Sequence, residues 1–363
     1  MPPTPPDPRR AHLADGRDIL YFDDAGSPAA LEEPPVDQRL PEPRPAPGEL
    51  RHDALLDEWV IQAPHRQERT HLPEVADCPL CPTLGDVRTE IPASAYDVVV
   101  FENRFPSLPA SPADRRAEPS GGRCEVVCYA DDHEAQFASL PSERLRTIVE
   151  AWAHRERELE ADTRTAQVFI FENRGEQIGV TLHHPHGQIY AYPFVPARAA
   201  RMRTIAGEHQ ARTGSCLGCH LLAAELADGR RIVADETAAV AYVPVAARWP
   251  YEVHVVPRRH ASSLGALSAA ERFAMVRLQA DVLARLDGVF GTRVPYMAGW
   301  FPVPRGTDPA DHHLRLEIVS PQRDVGKLKY LAGSESLMGA FVGDVVPEVA
   351  AQRLRGVAVD MAP

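Results

Sequence analysis

The stretch TLHHPHGQIYAYP, Thr181 to Pro193, places His183, His184 and His186 within four positions and runs directly into an apolar strand. A weaker echo, HHLRLEI, occupies residues 312–318. Working outward from each, the flanking sequence repeats too. CEVVCYADDH (124–133) sets against YEVHVVPRRH (251–260), with Glu-Val at the same offset and a histidine at the end. A C-x-x-C pair precedes each set, Cys78/Cys81 in the first and Cys216/Cys219 in the second. Cysteines, histidines and strands shift together by similar lengths, which is the mark of an internal duplication.

The remaining strand candidates fit that order. EWVIQA, DVVVFEN and AQVFIFEN fall in the first half, and RRIVADE, AAVAYVPV and VPYMAGW in the second. A helix is expected over Ser142–Asp162 and another over Ser268–Leu286, where Ser268 and Glu271 have the spacing of a capping box. The chain therefore reads as α+β: two halves, 51–197 and 198–363, each an antiparallel sheet with helices, forming one pseudo-symmetric subunit. Residues 1–50 hold many of the 35 prolines and read as an extended, partly disordered arm in which only DILYFDD is able to pair or pack.

Composition narrows the function. Lys and Arg total 39 against 51 Asp and Glu, a net charge of −12, which argues against holding duplex nucleic acid or an anionic membrane by bulk electrostatics. A local basic pocket for a small phosphate ligand remains compatible. No apolar run approaches the roughly 20 residues of a membrane span, and the N-terminus lacks a signal-peptide apolar region. A cytoplasmic protein is expected, in which the six cysteines are thiols or metal ligands rather than disulfides.

Zinc takes four ligands in a tetrahedron, which two thiolates and two imidazoles satisfy. The repeat assigns Cys78, Cys81, His133 and His184 to one site, and Cys216, Cys219, His260 and His313 to a second. His220 and His312 are rival ligands in the second half, while Cys124 and Cys128 read as buried thiols. Neither set leaves a position open for water, so both are structural sites. His186 lies two positions beyond His184 and is left unbound. A neutral imidazole whose other nitrogen donates a hydrogen bond is a competent nucleophile toward phosphorus. Gly187 allows close backbone approach, and the Gln188 amide can donate to a phosphoryl oxygen without acting as an acid.

His184-Pro185-His186-Gly187-Gln188, with FENRGEQIGVT upstream and CPLC before it, resembles the galactose-1-phosphate uridylyltransferases of the histidine triad superfamily. The resemblance runs from about residue 50 through KLKYLAGSES to the final helix PEVAAQRLRGVA. It implies two histidine-triad-like halves, and a homodimer whose active sites take residues from both subunits. His186 would attack the α-phosphorus of UDP-glucose, and galactose 1-phosphate would accept the uridylyl group, with Gln188 stabilising the adduct. Phe101, Asn103, Phe105, Asn173, Gly179 and Thr181 match the family's nucleotide site, Arg66 and Arg69 its basic loop, and Lys329 and Glu335 its sugar-phosphate region. Departures are as informative. A further metal site of some members would fall at Met202, Phe301, Arg315 and Glu317, whose side chains do not make it, and Phe341 replaces a sugar-contacting glutamine. The paired C-x-x-C sets also resemble plant-type ADP-sugar phosphorylases on the same scaffold. A zinc-stabilised nucleotide-binding module without turnover is a third reading, against which the intact His186 and Gln188 argue.

Overall fold

The computed structural model describes residues 7–31, 33–41, 43–44, 48–68, 71–108 and 121–359; Arg69 lies outside them. The arm contributes β1 (Arg9–His12) and β2 (Asp18–Phe22), followed by β3 (Glu49–Asp53) and β4 (Glu58–Gln62). The first half continues with β5 (Val98–Glu102), β6 (Arg123–Cys128), α1 (Ser142–Ala161), β7 (Gln167–Arg174) and β8 (His186–Tyr192). The second half contains α2 (Ala197–Thr213), α3 (Leu217–Asp228), β9 (Ile232–Asp235), β10 (Ala239–Tyr242), β11 (Tyr251–Pro257), α4 (Ala269–Phe290), β12 (Tyr296–Phe301) and β13 (Arg315–Ser320). After it come β14 (Gln322–Asp324), β15 (Lys327–Leu328), α5 (Gly333–Met338) and α6 (Pro347–Arg355).

Eleven strands form one sheet in the order β1-β2-β5-β6-β8-β7-β12-β13-β11-β10-β9. Read outward from the β7–β12 pair, the two sides carry the same succession: β7, β8, β6, β5, β2 on one and β12, β13, β11, β10, β9 on the other. Every pairing is antiparallel, so the expected α+β chain of two pseudo-symmetric halves is a single continuous sheet with its seam at β7–β12. α1 and α4 pack on one face of it and against each other.

That face is the main core. α1 buries Leu145, Ile148, Val149, Trp152 and Leu159, the i, i+3, i+4, i+7 stripe of an amphipathic helix. It meets Val168, Ile170, Ile189 and Ala191, the inward residues of β7 and β8. The capping box at the start of α4 is formed: the Ser268 hydroxyl accepts from Glu271 N, and the Glu271 carboxylate accepts from Ser268 N at 2.8 Å. The helix outlasts its expected end at Leu286 and stops where Gly291 adopts φ 65°, a conformation costly for side chains with a Cβ.

The structure departs from the sequence reading in two respects. The described part of the arm is more ordered than its prolines suggest, because Arg17 pairs with Asp15 and Glu90, and Arg39 pairs with Asp37 and the same Glu90. The matched Glu-Val dipeptides are not structurally equivalent. Glu125 faces Ile189 in register, whereas the residue facing the corresponding Ile318 is Val253. Glu125 points to the helices and pairs with Arg155, while Glu252 lies on the opposite face with His254. A one-residue offset between β6 and β11 separates them, although the histidines ending both segments reach equivalent places.

Candidate functional site

The sheet face away from α1 and α4 carries the chemistry-bearing side chains. In the first half it is covered by the segment containing Cys78 and Cys81, whose turn is closed by Cys81 N donating to Cys78 O at 3.3 Å. Cys81 Sγ lies 3.4 Å from His133 Nδ1 and 3.6 Å from His184 Nδ1, and Cys78 completes the group. The far nitrogen of His184, Nε2, is 2.8 Å from the Ala130 carbonyl and 2.8 Å from the Tyr96 hydroxyl. A proton held there leaves Nδ1 with its lone pair toward the thiols, the tautomer a metal requires. Burial pushes His184 down to about 4 and pushes the Cys81 thiol up to about 12, with Cys78 adding to the latter. Neutral imidazoles and crowded thiols fit a bound dication, which stabilises both thiolates.

The second cluster repeats the same ligand atoms. Cys219 Sγ lies 3.4 Å from His260 Nδ1 and 3.2 Å from His313 Nδ1, beside Cys216. His313 Nε2 is 2.9 Å from Pro257 O, and His260 Nε2 is 3.1 Å from Pro309 O. The rivals lie off the cluster: the His220 ring lies tilted against His209, with centroids 5.4 Å apart, and His312 Nε2 is 2.8 Å from Phe301 O. Cys124 and Cys128 are buried free thiols.

His186 opens β8, half-buried, with Nδ1 2.7 Å from the carbonyl oxygen of His184. Only a protonated Nδ1 satisfies that contact, so Nε2 is the nitrogen left with a lone pair. Burial holds the ring below its ordinary pKa and so favours the neutral form, and the same hydrogen bond offsets part of that shift. Gln188 follows on the same face, opposite Phe171 of β7 and Val126 of β6. Tyr190 is next, its hydroxyl 2.9 Å from Ser107 Oγ, to which the Arg66 guanidinium also donates. Arg66 is thereby brought to the open face of β8. Leu72 N donates to Thr181 O at 2.8 Å, which ties the segment after Arg66 to the loop ahead of His186.

The other candidates are distributed around this strand. Asn173 lies two residues beyond Phe171 on the open face of β7, half-buried. Gly179, at φ 83°, shapes the loop from β7 to His186, which contains Thr181. Asn103 Oδ1 accepts from Phe105 N at 2.8 Å and so fixes the backbone that carries the half-buried Phe105. Phe101 is 2% exposed in a second core with Val126 and Leu80, so a base could reach it only if the covering segment parted. His183 has a partner in Glu176, 3.2 Å away. Lys329 and Glu335 are paired with each other at 2.6 Å in the segment after β15, where Ala332 N and Val342 N also donate to Glu335. Phe341 packs under Arg248 in the same region.

The positions of the further metal site hold an ionic cluster. Arg315 donates to Glu317 at 2.8 Å and reaches Met202, Arg198 donates to Glu317 at 2.7 Å, and both guanidiniums lie over Phe301. Glu252, His254 and Glu317 also come together there. The sequence reading did not single out Glu252 or His254; the repeat that sets Glu317 against Gln188 is the signal that could have found their neighbourhood.

Two sheet halves with matching Cys₂His₂ clusters, and a tautomer-fixed unbound imidazole beside only one of them, define a duplicated, histidine-triad-like scaffold built for histidine chemistry on one side. The model of the galactose-1-phosphate uridyl transferase N-terminal domain matches residues 46–196, and that of the C-terminal domain matches residues 203–362. The chain belongs to the galactose-1-phosphate uridylyltransferase family. It is 40% identical to the Streptomyces lividans galactose-1-phosphate uridylyltransferase, over 95% of this chain and 96% of that one. The Thermotoga maritima galactose-1-phosphate uridylyltransferase is 38% identical, over 86% of this chain and 99% of its own. A solved uridylyltransferase structure superposes with a TM-score of 0.76 at 33% identity, covering 85% of this chain and 97% of that one. An Arabidopsis thaliana ADP-glucose phosphorylase shares the fold with a TM-score of 0.66 at 22% identity, over 86% of this chain and 100% of that one.

Proposed function

We propose that the chain catalyses the galactose-1-phosphate uridylyltransferase reaction, UDP-glucose plus galactose 1-phosphate giving glucose 1-phosphate plus UDP-galactose, with His186 as nucleophile. One observation carries the residue assignment: Nδ1 of His186 is engaged by His184 O, so Nε2 is neutral, unprotonated and free. In the first half-reaction a bond forms from Nε2 to the α-phosphorus. The bond from phosphorus to the bridging oxygen breaks, and its electron pair leaves with glucose 1-phosphate. In the second, a phosphate oxygen of galactose 1-phosphate attacks the same phosphorus and the nitrogen recovers its pair. The scheme is ping-pong because one site serves both sugar phosphates in turn.

Gln188, two residues on, donates its amide to the charged phosphoryl group of the adduct. Arg66 faces the departing phosphates with a fork of donors, and Arg69 is assigned to the same basic loop from the family match alone. Asn173, Gly179 and Thr181 bound the phosphate side, while Asn103 positions Phe105 at the base end; Phe101 lies in the core and would meet a base only if the covering segment parted. Bound at Cys78, Cys81, His133 and His184, zinc would tie the covering segment to His184, two residues before the nucleophile; at the second set it would tie α3 to His313. Both are structural in this reading, within halves 51–197 and 198–363 that follow the arm, 1–50. Lys329 and Glu335 are assigned to a sugar phosphate in the partner subunit of a homodimer, a reading supported by the exposed Tyr330, Leu337 and Met338 around them. A cytoplasmic location accords with six free thiols; among the described residues no helix is long and apolar enough to cross a membrane.

The test uses UDP-glucose and ADP-glucose, each labelled at the α-phosphorus. Acid-labile label on His186 from UDP-glucose, chased by galactose 1-phosphate, is the expected outcome. Absence of protein-bound label with either donor would sink the assignment. Label from ADP-glucose released only by inorganic phosphate would move the chain to the ADP-sugar phosphorylases.

A further inference from the structure

Beneath the nucleophile's strand, on the face away from substrate, lies a buried polar group that the reaction scheme leaves unused. Gly187 separates His186 from Gln188 and points into the core. A Cβ there would fall 1.9 Å from the Tyr129 hydroxyl, so the glycine is what lets that hydroxyl lie against the strand. The backbone N–H of Tyr129 donates to Pro185 O at 3.2 Å. One residue therefore holds the chain on both sides of His186, through its main chain at Pro185 and through its side chain at Gly187.

Behind it stands Glu172, which faces Gly187 in the β7–β8 register. Its Oε1 accepts from the Tyr296 hydroxyl at 2.5 Å, across the seam between the halves. Glu172 Oε2 and the Tyr129 hydroxyl are both buried, and neither has a hydrogen-bond partner. Burial pushes the Tyr129 phenol up, and the Glu172 carboxylate adds to the shift, which places the two groups within each other's field. Arg174 extends the cluster from Tyr296, over whose ring it lies, to Asp287. A phenylalanine at 129 would keep the ring contacts with Phe137 and Trp152 without the desolvation cost of a hydroxyl. A polar prop in that place is explained by what lies above it.

We propose that Tyr129, backed by Glu172 and Tyr296, is a positioning residue that fixes the height and orientation of His186 and Gln188 for attack on phosphorus. The role rests on the uridylyl-transfer reading of His186. Displacement of a nucleophile from its attack geometry is felt in the chemical step rather than in substrate binding.

The experiment is single-turnover labelling with α-labelled UDP-glucose, alongside steady-state kinetics and thermal unfolding, for the parent, Tyr129→Phe, Glu172→Gln and Glu172→Leu. Tyr129→Phe is expected to slow adduct formation and kcat by about 10- to 100-fold. KM should stay within about twofold and the unfolding temperature should move little. Glu172→Gln, which can still accept from Tyr296 and can pair with Tyr129, should recover most of the rate that Glu172→Leu loses. Labelling of Tyr129→Phe at the parent rate, or a loss that follows only the unfolded fraction, overturns the proposal. Should Tyr129→Phe fail to fold, equal rates in the two Glu172 variants overturn it as well. A parent that takes no label fails the uridylyl-transfer reading itself, whereas a parent and a Tyr129→Phe variant that label equally fail only this one.

Discussion

The two halves keep the same anchor and differ two residues beyond it. His184 and His313 present Nδ1 to a thiol and Nε2 to a main-chain carbonyl in the same way. Beyond His184 stands His186, with one ring nitrogen tied and the other free; beyond His313 stands Arg315, whose guanidinium is engaged by Glu317. A guanidinium carries donors and no lone pair to give, so it cannot attack phosphorus. Gln188, neutral and able to donate, likewise has Glu317 as its counterpart, a carboxylate that would repel a phosphate. The two halves share the clusters and differ at the position two residues on, where only the first carries an imidazole.

The sharpest way to break that comparison is to exchange the fates of the two positions. His186→Ala should lower kcat by at least about 10⁴-fold and abolish protein-bound label, since it removes the proposed nucleophile. Arg315→Ala should label at the parent rate. Label surviving in His186→Ala, or lost in Arg315→Ala, would show that the halves had been assigned the wrong way round.

The clusters give a smaller contrast. With zinc in both clusters as proposed, Cys81→Ser should remove about one zinc per chain and lower activity by roughly 10- to 100-fold, because His184 both belongs to that cluster and holds Nδ1 of His186, the proposed nucleophile, through its carbonyl. Cys219→Ser should remove the other zinc, lower thermal stability, and reduce activity less. Metal analysis with paired kinetics decides it; equal activity losses would mean that the two anchors support the site alike.

Much of this was legible in the chain. HPHGQ, the two C-x-x-C pairs and the terminal histidines identified both clusters and the free imidazole, because metal and nucleophile chemistry restrict residue type as well as spacing. The capping box at Ser268 was readable for a similar reason, being purely local. What escaped depends on which face of a strand meets which neighbour. The match of Glu125 with Glu252 was a coincidence of adjacent letters that a one-residue offset removes, and a single-residue shift moves a side chain to the other face. The Arg17–Glu90 and Arg39–Glu90 pairs that order the arm join residues far apart in sequence. Tyr129 beneath Gly187 is a close approach of the same kind, and only the glycine hinted at it.

The finest contrast is electrostatic. Glu317 is buried, which alone would raise its pKa, but Arg315, His254 and Arg198 outweigh that and hold it at about 2, below the ordinary 4.5. A carboxylate depressed on folding contributes stability that is fully present above its unfolded pKa and is lost as pH falls through the folded one. The contribution, about 3 kcal/mol from a shift of this size, should therefore be intact at pH 7 and fade between roughly pH 4.5 and pH 2. Arg315→Met should cost about 3 kcal/mol at pH 7, since it strands part of a buried charge network. Urea unfolding of parent and variant at pH 7, 5 and 3 would measure the gap between them, which should narrow at the lowest pH while the other titrating groups cancel in the difference. A gap constant from pH 7 to 3 would mean that Arg315 supports this half through packing on Phe301 and not through its charge. The neutral Gln188 gives the first half no equivalent acid dependence at the matching position.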